Sequence, residues 1–92
     1  MCRNIKRLHN FTPPATSDEI HDAALQYVRK ITGATQPSAV NREAFDTAVQ
    51  RVADATTALL DGLVTTAPPR TREAEAARAK ARAAKRFGPK AA

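Results

Sequence analysis

The sequence is poor in the residues that mark several common classes of protein. Its 92 residues include one cysteine, three glycines and no tryptophan. It also lacks an apolar run of about 18 residues, which a membrane-spanning helix would need. A single cysteine excludes an intramolecular disulfide framework and a cysteine-only metal cage. Three scattered glycines exclude a Gly-rich phosphate loop. These absences remove whole classes of function, but they do not indicate an activity.

The chain is also short of the large apolar residues that build a core. Its aromatic residues are one tyrosine and three phenylalanines, so the core must consist largely of Val, Ile, Leu and Ala. A chain of this length buries only about 60 to 65% of its unfolded surface. We therefore expect oligomerisation, or an N-terminal arm packed over the helices, to supply additional burial.

Charge is plentiful and is distributed unevenly along the chain. The formal net charge is +6. Residues 1–15 carry three bases and no acid, residues 16–69 carry four bases and seven acids, and residues 70–92 carry eight bases and two acids. The excess positive charge therefore lies at the two ends, and any electrostatic function is expected there.

Two amphipathic helices are predicted in the middle of the chain. Thr16 and Glu19 form the capping-box pattern T-x-x-E, and Gly33 is a typical C-terminal stop, which predicts a helix over residues 17–32. Ser38 is a plausible N-cap for a second helix over residues 39–63. The first helix places these residues on its predicted core face: Ile20, Ala23, Ala24, Tyr27, Val28 and Ile31. The second presents an arc of roughly 120° made by Phe45, Ala48, Val49, Val52, Thr56, Leu59, Leu60 and Leu63.

A third, basic helix is predicted near the C-terminus. Thr71 can cap it, and Ala, Arg, Lys and Glu, all good helix formers, dominate residues 72–86. This helix either packs across the other two through an alanine stripe or projects from them as a basic extension. The stripe consists of Ala74, Ala77, Ala81 and Ala84.

The N-terminal residues are predicted to form an arm. Its apolar residues Ile5, Leu8 and Phe11 recur at every third position, as in a turn of 3₁₀- or α-helix, before Pro13 and Pro14 end regular structure. The expected organisation is an arm over residues 1–15, a hairpin core over residues 16–66, and a basic helix and tail over residues 67–92. Because a short loop joins the first two helices, we expect them to be antiparallel. The predicted fold class is all-α.

The basic third helix is the first candidate for function. Its cations on one arc of about 100° are Arg78, Arg82, Lys85 and Arg86. Such an arc favours a phosphate backbone, held by salt-sensitive contacts that do not read sequence. An acidic protein is a second candidate partner, and a membrane surface is a less favoured one, because Phe87 is the only large apolar residue there. The alternative is a solvated helix with no partner.

Cys2 is the second candidate, because the neighbouring bases Arg3, Lys6 and Arg7 would favour its thiolate. A thiol-based sensor or enzyme would follow, although no spacing in the sequence supplies a catalytic base. The alternative is a small buried apolar residue. The basic N-terminal residues are not followed by the apolar segment of a secretory signal, so we expect a cytoplasmic protein with a reduced thiol.

Two further hypotheses concern metals and self-association. Cys2, His9 and His21 are chemically suitable ligands, but their spacing matches no compact ligand pair, so we expect no metal or cofactor. The apolar face of the hairpin, widened by Leu25, could instead form a contact with a second copy of the chain or with another protein, which would make the chain a homodimer or a partner-protein subunit. The alternative is that Ile5, Leu8 and Phe11 of the arm cover that face.

Several segments resemble an uncharacterised family of small bacterial proteins, a domain of unknown function. The resemblance rests on the opening Met-Cys-Arg-Asn-Ile-Lys, on Ala-Leu-Gln-Tyr-Val-Arg-Lys at residues 24–30, and on Leu-Val-Thr-Thr-Ala-Pro-Pro-Arg at residues 63–70. It implies a bacterial, cytoplasmic, self-contained helical unit, and it implies no reaction or substrate. Sequence and resemblance together predict a small interaction protein, more readily non-enzymatic than enzymatic, whose basic helix contacts anionic partners.

Overall fold

The computed structural model describes the backbone of residues 5–87 and the side chains of residues 5–85. Within this part of the chain, the helices are α1 (Ser17–Thr32), a 3₁₀ turn (Ala39–Asn41), α2 (Arg42–Gly62) and α3 (Arg72–Phe87). The predicted all-α class is confirmed. None of the helices described is both long enough and apolar enough to cross a membrane.

The ends of α1 are formed by the residues that the sequence predicted. The backbone N–H of Glu19 donates to Thr16 Oγ1 at 3.1 Å, and Glu19 Oε1 accepts from the backbone N–H of Thr16 at 2.8 Å. This reciprocal pair is a complete capping box. At the other end Gly33 has φ 71° and donates to the carbonyl of Arg29 at 2.8 Å. Glycine has no Cβ and adopts a positive φ readily, so this residue ends the helix without strain.

The start of α2 differs from the prediction at Ser38. Its side chain does not cap the helix amides but accepts from Asn41 Nδ2 at 3.2 Å. A 3₁₀ turn over Ala39–Asn41 therefore precedes the α-helix, which begins at Arg42. The 3₁₀ turn connects the loop after Gly33 to the first residue of α2. Such turns are common at the ends of α-helices.

The core is one seam between α1 and α2, which pack as the predicted antiparallel hairpin. Each helix contributes three buried residues at intervals of four, so one i, i+4 ridge of each helix lies against the other. The buried residues are Ile20, Ala24 and Val28 of α1 and Phe45, Val49 and Ala53 of α2. Leu25 and Leu60 pack partly buried against this cluster.

The predicted core faces are wider than the buried seam. Tyr27 and Ile31 are 46% and 67% exposed, and Leu59 and Leu63 are 59% and 44% exposed. The expectation that these four residues lie in the core is therefore wrong. A helix in a two-helix layer has only one neighbour, so a single narrow stripe of each apolar face is removed from water.

The arm lies against the hairpin, but it is not helical. Leu8 and Ala15 pack on the core cluster, while the predicted helical turn at residues 5–11 is absent. The backbone of the arm instead bonds the segment before α3: the N–H of Arg70 donates to the carbonyl of Asn10 at 2.8 Å, and the N–H of Thr12 donates to the carbonyl of Arg70 at 2.9 Å. These bonds use backbone groups that a helical turn would have paired locally.

Of the two arrangements expected for α3, the structure has the projecting one. The N–H of Ala74 donates to Thr71 Oγ1 at 3.1 Å, so Thr71 caps the helix as predicted. Beyond the first turn, every side chain from residue 76 to residue 85 is exposed, and Ala74 is exposed as well, so the whole alanine stripe lies in solvent. Most of α3 therefore lies in solvent. The hairpin contacts it at its first turn, where Arg72 bonds to Glu19 of α1.

Candidate anion-binding groove

Arg72, the first residue of α3, fastens that helix to the start of α1. Its Nε donates to Glu19 Oε2 at 2.8 Å and its Nη2 donates to Glu19 Oε1 at 2.8 Å. The remaining donors reach the arm, where the carbonyls of Pro13 and Pro14 accept at 2.7 and 3.2 Å. A planar guanidinium can make such a bidentate bond, whereas a lysine ammonium cannot. We call this arrangement the Arg72 latch.

The electrostatics of the latch stabilise its charged form. The hydrogen bond from Arg72, followed by that from the backbone of Thr16, lowers the pKa of Glu19 from its ordinary 4.5 to about 2. The same bond to Glu19 raises the pKa of Arg72. The Arg72 guanidinium also lies 5.4 Å from the ring centroid of Phe11, within cation–π distance. One guanidinium thus joins the arm, the start of α1 and the start of α3.

A second ion cluster holds the first turns of α3. Arg70 Nη1 donates to Glu75 Oε1 at 2.6 Å, and Arg78 Nη1 lies 3.7 Å from the same oxygen. The hydrogen bond from Arg70 is the main cause of the lowered pKa of Glu75. Arg78 keeps a largely exposed side chain, so its charge is only partly satisfied by this contact.

An open groove of about 580 Å³ runs between the arm and α3. Apolar Leu8 and Phe11 line it from the arm, and Ala76 and Ala79 line it from the helix. Its charged lining residues are Lys6, Arg7, Glu19, Arg72, Glu75 and Arg82. Since Glu19 and Glu75 are already paired with arginines, the groove carries a net positive charge. We call it the arm–α3 groove.

The groove brings together cations that the sequence had assigned to two separate candidates. Lys6 and Arg7 come from the basic arm, and Arg82 comes from the basic arc of α3. None of these three side chains forms a salt bridge with another described residue. Lys6 also borders a second depression, where Asp18 and Asp22 lie on α1. Arg7 and Arg82 thus line the groove without a salt bridge to another described residue, and Arg82 acts on Glu75 only through its charge, which helps to lower the pKa of that carboxyl.

The other predicted site residues are not all part of this arrangement. Lys85 is exposed on α3 but does not line the groove. Arg86 belongs to α3 by its backbone, and its side chain lies outside the part of the chain that the structure describes. Cys2 and Arg3 also lie outside the described residues, so the thiol hypothesis stays a prediction. His9 is partly buried beside the end of the hairpin, while His21 is exposed on α1.

Sequence reasoning missed the most highly connected residue of the site, Arg72. It is separated from Glu19 by 53 positions in the chain, and the sequence shows only one arginine among several in a basic helix. Glu19 was identified, but only in its capping role. Its second role could not be predicted from spacing, because the two residues are distant in the chain and lie together only where the arm pairs with the segment before α3.

Comparison with known proteins adds one finding. A family model described as uncharacterized conserved protein (DUF2277) matches residues 1–78. The matched part includes the arm, the hairpin and the Arg72 latch, and it ends before Arg82. No curated protein and no solved structure matches the chain.

Proposed function

The chain belongs to the uncharacterized conserved family DUF2277, and for this chain we propose a small, non-enzymatic binding protein whose basic third helix and arm hold an anionic partner, nucleic acid first. The family match confirms the resemblance seen in the sequence, and it brings no activity with it. The proposal therefore rests on the geometry of the chain itself.

The observation that carries the proposal is the exposed supply of cations beside the arm–α3 groove. Arg82 of α3 and Arg7 of the arm approach the groove from opposite walls. Arg78 and Lys85 continue the positive charge along the exposed helix. A phosphate backbone presents a regular row of negative charges, and neutralising it releases counterions, which favours binding at low salt.

The structure of the latch also favours binding of an extended partner. The projecting helix is held at one end, so its basic arc remains accessible to a surface or strand that lies along it. Contacts of this kind position a nucleic acid without reading its sequence. An acidic protein could use the same charges, and it is the alternative partner that the test must separate. The expected setting, a bacterial cytoplasm, stays part of the proposal.

The test is the salt dependence of binding to a labelled DNA duplex, measured by fluorescence anisotropy. The full-length chain should bind at low salt and lose affinity steeply as salt rises. Replacing both Arg7 and Arg82 by alanine should weaken binding and reduce the slope of log K against log salt by up to about 1.8, since each lost phosphate contact removes about 0.9.

The matched control removes two positive charges from the hairpin instead. Lys30 and Arg42 are exposed and lie away from the groove, so the variant Lys30→Ala/Arg42→Ala should retain the slope. Equal losses in the two double variants would mean that only net charge matters, which contradicts a site at the groove. Absence of DNA binding at low salt, together with binding to polyglutamate, would replace nucleic acid by an acidic protein.

A further inference from the structure

The hairpin leaves large apolar side chains outside its core. Tyr27 of α1 is 46% exposed and Leu59 of α2 is 59% exposed. The two residues line one depression on the hairpin surface, so their exposed side chains lie close together.

These exposed side chains belong to a surface that lies mainly on one side of α2, next to the core seam. Residues at helical spacing form a continuous small and apolar strip there, and Tyr27 of α1 lies beside its C-terminal half. We call this surface the open face of α2. Its α2 residues are Ala44, Ala48, Val52, Ala55 and Leu59. Neither the arm nor α3 lines this surface in the described part of the chain.

Two charged residues border the N-terminal half of the open face. Glu43 and Arg51 lie on a ridge with Thr47 between them, one ridge away from Ala44, Ala48 and Val52. Eight residues separate the two charges, which corresponds to about 12 Å along the helix axis. They are therefore too far apart to pair within one chain, and neither takes part in a salt bridge among the described residues.

The spacing of these charges is symmetrical about Thr47. A second α2 crossing the first in antiparallel sense, with a two-fold axis near Thr47, brings Glu43 of each copy beside Arg51 of the other. The same axis places the small side chain of Ala48 at the centre of the contact, where it allows two helices to approach closely. The surface is thus complementary to itself, which an isologous dimer interface requires.

From this charge complementarity we propose that the open face of α2 binds a second copy of this chain, forming a two-fold symmetric dimer of hairpins. The exposed Tyr27 and Leu59, left outside the core of the single chain, lie on the same side of the hairpin and extend the apolar contact. The basic α3 of another copy is a less suitable occupant, because the face carries one acid, Glu43, and one base, Arg51. Its charges therefore balance and offer a basic helix no net attraction.

The dimer is tested by sedimentation equilibrium of the full-length chain over a dilution series, with no nucleic acid present. Glu43→Arg and Arg51→Glu should each weaken the dimer by at least about tenfold, because each places like charges together at both ends of the contact. The double variant exchanges the two charges and should restore the affinity of the wild type. Both positions are exposed, so circular dichroism should show the same helix content in all variants.

The control is Asp46→Arg, which makes the same charge change on α2 away from the open face. It should leave the dimer intact. Quenching of Tyr27 fluorescence by acrylamide gives a second reading, because it is the one tyrosine of the chain, and its accessibility should fall as the dimer forms.

Several outcomes would overturn the proposal. They are a monomer at all concentrations, a dimer indifferent to both single changes, and weakening without rescue in the double variant. Weakening by Glu43→Arg combined with strengthening by Arg51→Glu would instead assign the face to the basic α3 of another copy. A monomer that still binds DNA would leave the proposed function in place while removing the dimer.

Discussion

The hairpin and α3 are both helical, yet they are held in place by different forces. In the hairpin, buried apolar residues of α1 and α2 form a continuous seam, and the charge of residues 16–69 is slightly negative. In α3 the side chains from residue 76 to residue 85 are exposed, and ion pairs and hydrogen bonds hold only the first turns. Stability is thus concentrated in one region and positive charge in the other.

This difference explains how so basic a helix can be tolerated in so small a protein. If the alanine stripe of α3 were docked on the hairpin, its cations would be partly desolvated at a cost in free energy. A projecting helix avoids that cost, but it depends on its own propensity and on its cap. Isolated helices of this length are marginal in water, so the Arg72 latch is the main tertiary support of α3.

The largest expected effect comes from the seam. Phe45→Ala removes the largest buried side chain of the hairpin, and changes of this kind cost about 3–5 kcal/mol of unfolding free energy. Thermal unfolding followed by circular dichroism should show a strongly lowered midpoint. Val64→Ala, at a position that is 93% exposed, should change the unfolding free energy by less than about 0.5 kcal/mol. Similar midpoints for both variants would mean that the seam is not the main source of stability.

The next largest expected effect is a change with pH in the stabilisation that the Arg72 latch gives to α3. Because the folded pKa of Glu19 is about 2, below its ordinary 4.5, the ionised carboxylate favours the folded state. Its stabilisation is complete above about pH 4.5 and is lost as the pH falls through about 2. Hydrogen exchange should therefore show that the amides of Ala74 and Glu75, which bond to Thr71 at the start of α3, lose protection in this window.

The variant Glu19→Gln separates the contribution of Glu19 to this pH dependence from the contributions of the other carboxyl groups. The variant cannot form the ion pair, so protection of the first turn of α3 should be low even at neutral pH. Its remaining pH dependence should be smaller than that of the wild type and should reflect Glu75, whose pKa is also lowered by Arg70. Identical pH profiles for the two proteins would show that the latch does not order α3.

The local features of the fold were predictable because they depend on neighbours in sequence. The cap residues Thr16, Gly33 and Thr71 act on backbone groups within four positions, and the structure confirms each of them. Periodicity also located the helices. The width of the core was not predictable in the same way, because the exposure of Tyr27 and Leu59 depends on how many helices surround the hairpin.

The candidate site, like the width of the core, could be predicted from the sequence only in part. Charge counts located the basic ends of the chain, but they did not show that Arg7 and Arg82 face one groove. That arrangement depends on backbone bonds between Asn10, Thr12 and Arg70, about sixty positions apart. No local sequence pattern in the arm, with its basic and apolar residues and its two prolines, indicates that its backbone bonds to the segment before α3.

The smallest expected effect compares the caps of the two regions. Thr16 and Thr71 each accept from the amide three residues later at 3.1 Å, but only Thr16 also donates its backbone N–H to a glutamate side chain. Thr16→Ala should cost about 1 kcal/mol of unfolding free energy, because α1 is part of the cooperative core. Thr71→Ala should leave the unfolding midpoint nearly unchanged and lower amide protection only in α3, while serine at either position should retain the cap. A helix held only at its first turn can fray without opening the core, so the two alanine variants should differ. Equal shifts of the unfolding midpoint for both would instead mean that α3 unfolds together with the hairpin.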